Sequence, residues 1–173
     1  YLSILNEDKN NFSANHLHGC ILSQNLKYKD ALSYLKKACD IDPNNYEANN
    51  NLGIVYKNLK DLKNSEKCFK KSMLLNSSEY KAYFNCANLY IDHEKYHESV
   101  ELLKKILSLN ESYCDADHRI GEVYQYIFQD DRKIENLKTS IKWFNNAIIK
   151  DPTYVDSYLM LGMSYLWMGN IKE

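Results

Sequence analysis

The chain repeats itself every 34 residues. Leu52-Gly53 is followed one period later by Cys86-Ala87, two periods later by Ile120-Gly121, and is preceded by His18-Gly19. A fifth copy, Leu161-Gly162, arrives 41 residues after Ile120-Gly121, so seven extra residues stand between. The rest of the frame keeps step. Three residues after the small position come Leu22, Tyr56, Tyr90, Tyr124 and Tyr165; further on come Ala31, Ser65, Ser99 and Ser140, then Leu35, Phe69, Leu103 and Phe144, then Ala38, Ser72, Ile106 and Ala147. The chain has only two prolines, Pro43 and Pro152, and both occupy one place in the frame. A unit this short cannot bury its own apolar face, so successive units must stack, and the chain is confined to a repeat array.

Within one period the apolar spacing is helical twice, with a break near Leu59-Lys60-Asp61. The spacing predicts a helix A over Glu47–Asn58 and a helix B over Lys63–Leu75. Gly53 and its equivalents let helix A approach helix B closely, with Ser65 and its equivalents as the matching hollow on B. Ala38, Ser72 and Ala147 do the same where B meets the next A, and Tyr56 and Phe69 fill the remaining space. Asp-Pro at Asp42-Pro43 and Asp151-Pro152 ends one helix and prepares the next. The scarcity of Gly and Pro fits long helices with tight turns better than many strands.

This pattern resembles the tetratricopeptide repeat family over almost the whole chain. The resemblance implies an all-α fold, a right-handed superhelix in which antiparallel helix pairs stack as an α-solenoid. The expected units are 12–45, 46–79, 80–113 and 114–154, the last carrying the seven-residue insertion. Residues 155–173 read as helix A of a truncated fifth unit, and 1–11 as the end of a truncated preceding one. Opening on Tyr1 and not on Met, the chain reads as a fragment. It departs from the family pattern at His18, where a large aliphatic is usual, and at Ser77 and Glu111, where Pro is usual. At Asn15, Asn49 and Asp117 an aromatic is usual, so looser packing is expected in the first two units. The insertion, between Tyr124 and Leu137, should extend helix A beyond Gln125 and raise a corner near Asp130–Lys133.

Composition removes several function classes. A net charge of −1 with both signs interspersed leaves no footprint for nucleic acid or an anionic membrane. No apolar run is long enough for a bilayer. The five cysteines (Cys20, Cys39, Cys68, Cys86, Cys114) show no paired spacing and read as small buried residues of an intracellular protein, cytoplasmic or nuclear. His93 and His97 have the i, i+4 spacing of metal ligands, but the expected turn at Glu94-Lys95 separates them. His16 reads as a groove residue and His18 as a hydrogen-bonded histidine at the core edge. No phosphate loop or nucleophile elbow is present. The expectation is therefore no catalytic residue, no metal and no cofactor: this stretch is not an enzyme.

The resemblance places a partner-binding surface on the concave side, lined by helix A. The frame puts Glu47, Asn50, Asn51, Ile54, Lys57 and Asn58 there in one unit, then Lys81, Phe84, Asn85, Asn88, Ile91 and Asp92, then Asp115, His118, Arg119, Glu122, Gln125 and Tyr126. The chaperone-type carboxylate clamp does not fit, since either register matches two of five slots and one places Asp115 where a base is needed. The expected groove residues are Asn50, Asn51, Lys81, Phe84, Asn85, Asn88, His118, Arg119 and Glu122. The function implied is a protein–protein interaction scaffold that holds a peptide or partner helix. The alternatives are a substrate-recruiting arm of a larger enzyme, such as the glycosyltransferases that carry asparagines along this groove, or a structural subunit of a large assembly. Side-chain amides offer a donor and an acceptor each, so Asn51 and Asn85, with Lys81 and Arg119, are expected to hold an extended, acidic segment. Asn49 sits in a packing slot and reads as incidental. The final helix, lacking a cover, is expected to self-associate through Val155–Asn170.

Overall fold

Backbone hydrogen bonds close each corner of the chain without help from glycine. Lys60 adopts φ 63° after the helix α4 (Tyr46–Asn58). Its N–H reaches Lys57 O at 3.0 Å, while the Asp61 N–H reaches back to Tyr56 O at 2.9 Å. This pair of bonds is a Schellman closure, which satisfies carbonyls that a helix end would otherwise leave open. The same device recurs one period either way. Leu26 (φ 60°) follows α2 (Phe12–Gln24), with Lys27 N bonded to Leu22 O, and Glu94 (φ 58°) follows α6 (Tyr80–Ile91), with Lys95 N bonded to Tyr90 O. Some helix starts are capped by side chains: Asn11 accepts from Ala14 N, Asn45 from Ala48 N, and Asp61 from Asn64 N.

A computed structural model describes residues 1–170, and among them every regular element is an α-helix. Besides those named, they are α1 (Leu2–Glu7), α3 (Tyr28–Ile41), α5 (Leu62–Leu75), α7 (Tyr96–Leu109), α8 (Cys114–Asp131), α9 (Ile134–Lys150) and α10 (Val155–Asn170). The fold is all-α, built of tandem helix pairs as the repeat requires. Residues 171–173, the end of the expected fifth unit, lie outside the described residues. The chain forms two units, Tyr1–Leu89 and Tyr90 onward.

In the first unit α2 packs on α3 and α4 on α5, with α3 and α4 joining the pairs. The glycines are where helices nearly touch. A Cβ on Gly53 would stand 2.6 Å from Phe69 Cε1, and one on Gly19 2.7 Å from Leu35 Cγ. Phe69 and Leu35 are wholly buried there, each worth about 1.5–3 kcal/mol of apolar transfer. Ser65 is more than a hollow: its Oγ donates to Gly53 O at 2.9 Å. Ser72 likewise donates to Tyr46 O in its own pair.

Asn49, expected to be incidental, is one of the best-bonded side chains in this unit. It is 3 % exposed, and its Nδ2 donates to Pro43 O at 3.1 Å and Asn45 O at 2.7 Å. Asn15 repeats this with Lys9 O and Asn11 O. The slot that takes an aromatic elsewhere here ties helix A to the turn before it, so these pairs are not loosely packed at this position. His18 packs edge to face on Tyr34 at 4.6 Å between ring centroids.

In the second unit α8 packs between α7 and α9, and α10 covers α9. Gly121 repeats the seat, with Phe144 Cε1 2.6 Å from a would-be Cβ. The insertion is shared between two helices. α8 has 18 residues against 13 in α4, and α9 has 17 against 14 in α5. Helix therefore runs through Tyr126–Gln129, and the corner moves outward by about one turn to Arg132 (φ 55°), whose N–H bonds Phe128 O. Asp117 occupies the Asn49 slot but pairs with Lys150.

Candidate interaction groove

The A-helix face of the first unit carries two open depressions that share Cys20 and Asn51. One, about 480 Å³, is lined by Ser23, Leu26, Tyr28, Ile54 and Asn58 besides these two. The other, about 280 Å³, reaches toward Tyr46, Glu47, Asn50, Glu79 and Lys81. Asn51 stands between them because α4 places it one turn from Glu47 and beside α2.

The amides on this face are wired to the neighbouring helix. Asn51 Nδ2 lies 2.9 Å from His16 Nε2 and donates to Cys20 Sγ at 3.2 Å. Burial holds the His16 imidazole below its ordinary value, against the attraction of Glu47, so it is neutral near pH 7 and its Nε2 accepts. One repeat on, Asn85 Nδ2 donates to Asn50 Oδ1 at 3.0 Å. Both links span 35 residues, one period plus one. A 34-residue period could have revealed them, since it sets the sixth residue of each A helix beside the fifth of the preceding one.

Six expected groove residues fall in this unit. Asn50 is buried, Asn51, Phe84, Asn85 and Asn88 are half-buried, and Lys81 is exposed. The other three, His118, Arg119 and Glu122, lie in the second unit. His118 is 6 % exposed, its Nδ1 2.8 Å from Ser157 Oγ of α10, its ring against Phe144 and Tyr154. It joins α8 to α10. Gln125 also points inward, donating to Met160 O and Ser164 Oγ. The Arg119 guanidinium, expected to hold an acidic partner, is paired with Glu122 at 2.7 Å. Burial alone would raise Glu122, but hydrogen bonding to His118 and the Arg119 charge outweigh it and hold the carboxyl below its usual range. Arg119 and Glu122 thus neutralise each other.

Burial pushes the Cys39 thiol up to about 12 and Cys68 to about 11, so both stay protonated at neutral pH. Among the described residues no group of three or more His, Cys, Asp or Glu side chains is placed to hold a metal, and no helix is long and apolar enough to cross a membrane. His93 and His97 are both exposed, with the corner at Glu94 between them.

Family models described as TPR repeat and tetratricopeptide repeat match residues 23–60, and 46–79 and 80–113, respectively. No curated protein sequence matches the chain. Several solved structures are similar in fold. MamA from Desulfovibrio magneticus RS-1 is 19 % identical with a TM-score of 0.77, over 93 % of this chain and 87 % of that one. YrrB, described as a protein with an unusual peptide-binding site, is 18 % identical with a TM-score of 0.72, over 98 % and 84 %. Pseudomonas aeruginosa pilF is 16 % identical with a TM-score of 0.78, over 92 % and 69 %.

Proposed function

The chain belongs to the tetratricopeptide repeat family, whose members serve as protein-interaction modules, and we propose that residues 1–89 hold an extended peptide segment along the A-helix face without catalysing a reaction. The observation that carries this reading is the pair of depressions meeting at Asn51, floored by amides whose remaining groups suit a peptide backbone. Asn50, Asn51, Lys81, Phe84, Asn85 and Asn88 are its contact residues. A fold neighbour with a peptide-binding site adds support. Of the two cations expected to meet an acidic segment, Arg119 is paired to Glu122 and Lys81 is exposed. Five thiols, none in a disulfide, suit an intracellular setting.

The test is capture of the partner with the protein as bait, then affinity measured for the double variant Asn51→Ala with Asn85→Ala. A loss of about tenfold or more is expected, as for two hydrogen-bonding groups. Unchanged affinity, with helicity intact by circular dichroism, refutes the groove.

A second reading rests on α10. Val155, Leu159 and Leu166 are 73 %, 61 % and 69 % exposed, and Tyr158 and Tyr165 are about half exposed. We infer that this face pairs with a second copy. Light scattering should show dimer at high concentration, reduced by Leu159→Glu with Leu166→Glu; a monomer at all concentrations rejects it.

A further inference from the structure

The smaller depression has a chemistry of its own. Its walls come from α2, α4 and the start of α6, and its charged groups are Glu47, Glu79 and Lys81. Glu79 accepts from the Lys81 backbone N–H at 3.2 Å, which fixes a carboxylate at the N-terminal end of α6, where the helix dipole favours an anion. Glu47, in the first turn of α4, accepts from the Tyr46 hydroxyl. Lys81, the one cation in the lining, is exposed and carries its ammonium on a four-carbon stem. Two carboxylates against one ammonium leave the depression net negative.

The neutral groups point the same way. The Asn51 Nδ2 is taken by His16 and Cys20, which leaves its Oδ1 to accept. The imidazole of His16, kept neutral by burial, adds no positive charge. Asn50 is nine-tenths buried and lines the depression; its Oδ1 is taken by Asn85, so its Nδ2 is the group it has to offer. That donor fits a backbone carbonyl of a bound segment, while every charge-compatible group around it calls for a donor from the ligand.

We propose that the segment held in this groove inserts an arginine or lysine side chain between Glu47 and Glu79 while its backbone accepts a hydrogen bond from Asn50. The partner is then basic at this position, the reverse of the acidic segment expected from the sequence. The inference rests on the groove reading above.

The experiment uses the full chain, isotope-labelled, titrated with acetyl-Gly-Arg-Gly-amide and with its norleucine and glutamate counterparts while backbone amide shifts are followed. The arginine probe should shift Glu47, Asn50, Asn51 and Ala82 saturably, binding about fivefold more tightly than the norleucine probe. That advantage should vanish in about 0.5 M salt and in the Glu47→Gln, Glu79→Gln variant, where the amide at residue 79 still accepts from the helix start. Lys81→Gln should strengthen the arginine probe about twofold. Equal binding of arginine and norleucine probes, or tighter binding of glutamate, overturns the basic side chain but leaves the groove standing. If no probe shifts these amides, the groove and the proposal fall together.

Discussion

Asn49→Ala is the sharpest test of how this fold is held. The side chain is buried, and it makes two hydrogen bonds to carbonyls of the turn between α3 and α4. Asn45 O keeps a bond from the Asn49 backbone N–H in the variant, whereas Pro43 O loses this donor. At about 1 kcal/mol per bond, with some added cost for a carbonyl left short, the loss should come to about 2 kcal/mol. For a chain of this size that lowers the midpoint by about 4–8 °C. The neighbouring Asn51→Ala is the matched control. It removes contacts from a half-buried amide to an imidazole nitrogen and a thiol, weaker partners, and should cost under about 1 kcal/mol. Thermal and urea unfolding by circular dichroism measure both. If Asn49→Ala costs no more than Asn51→Ala, the tie to the preceding turn does not stabilise the fold and the reasoning fails.

Three further outcomes follow from the geometry. Gly53→Ala should destabilise by about 1–3 kcal/mol, because its Cβ meets the buried Phe69 ring, while Gly162→Ala, with nothing within 4 Å, should gain up to about 1 kcal/mol of helix propensity; melting of the two variants checks the contrast. Lys60→Gly relieves a left-handed residue and should stabilise by about 0.5–1 kcal/mol in urea unfolding, an effect absent if the corner is unstrained. Burial raises the Asp117 carboxyl above its ordinary value, against the bond from Lys150, so between those two values the unfolded chain has lost a proton that the folded chain keeps. Stability must then fall as pH rises through that window. Asp117→Asn, which copies Asn49, lacks this slope; urea melts from pH 4 upward should show the native protein losing ground to the variant, and a constant difference refutes it.

The helix pairs were legible because a 34-residue period leaves few ways to bury the apolar face. Gly53 and Phe69 could be matched from spacing alone. Asn49 could not, because an amide where an aromatic is usual reads as a defect until the carbonyls of the preceding turn are seen beneath it. His118 and Gln125 were misplaced for a different reason. The frame assigns a face by counting from the start of a unit, and it does not know that α10 lies against α8 and needs polar groups to meet Ser157 and Ser164. The Arg119–Glu122 pair, three residues apart on one helix face, was open to the same counting.

The outward-shifted corner at Arg132 reaches beyond its own pair. Lengthening α8 by more than a turn exposes a new stretch of helix, and Phe128 in that stretch stacks on Trp167 of α10 at 5.9 Å. α10 continues as helix to Asn170, three residues longer than α4. An insertion in one unit of such an array is thus inherited by its neighbour as a demand on length and on the residue that must meet it. Engineering that shortens this corner to the common period would have to trim the following helix in the same step, or leave Trp167 facing water.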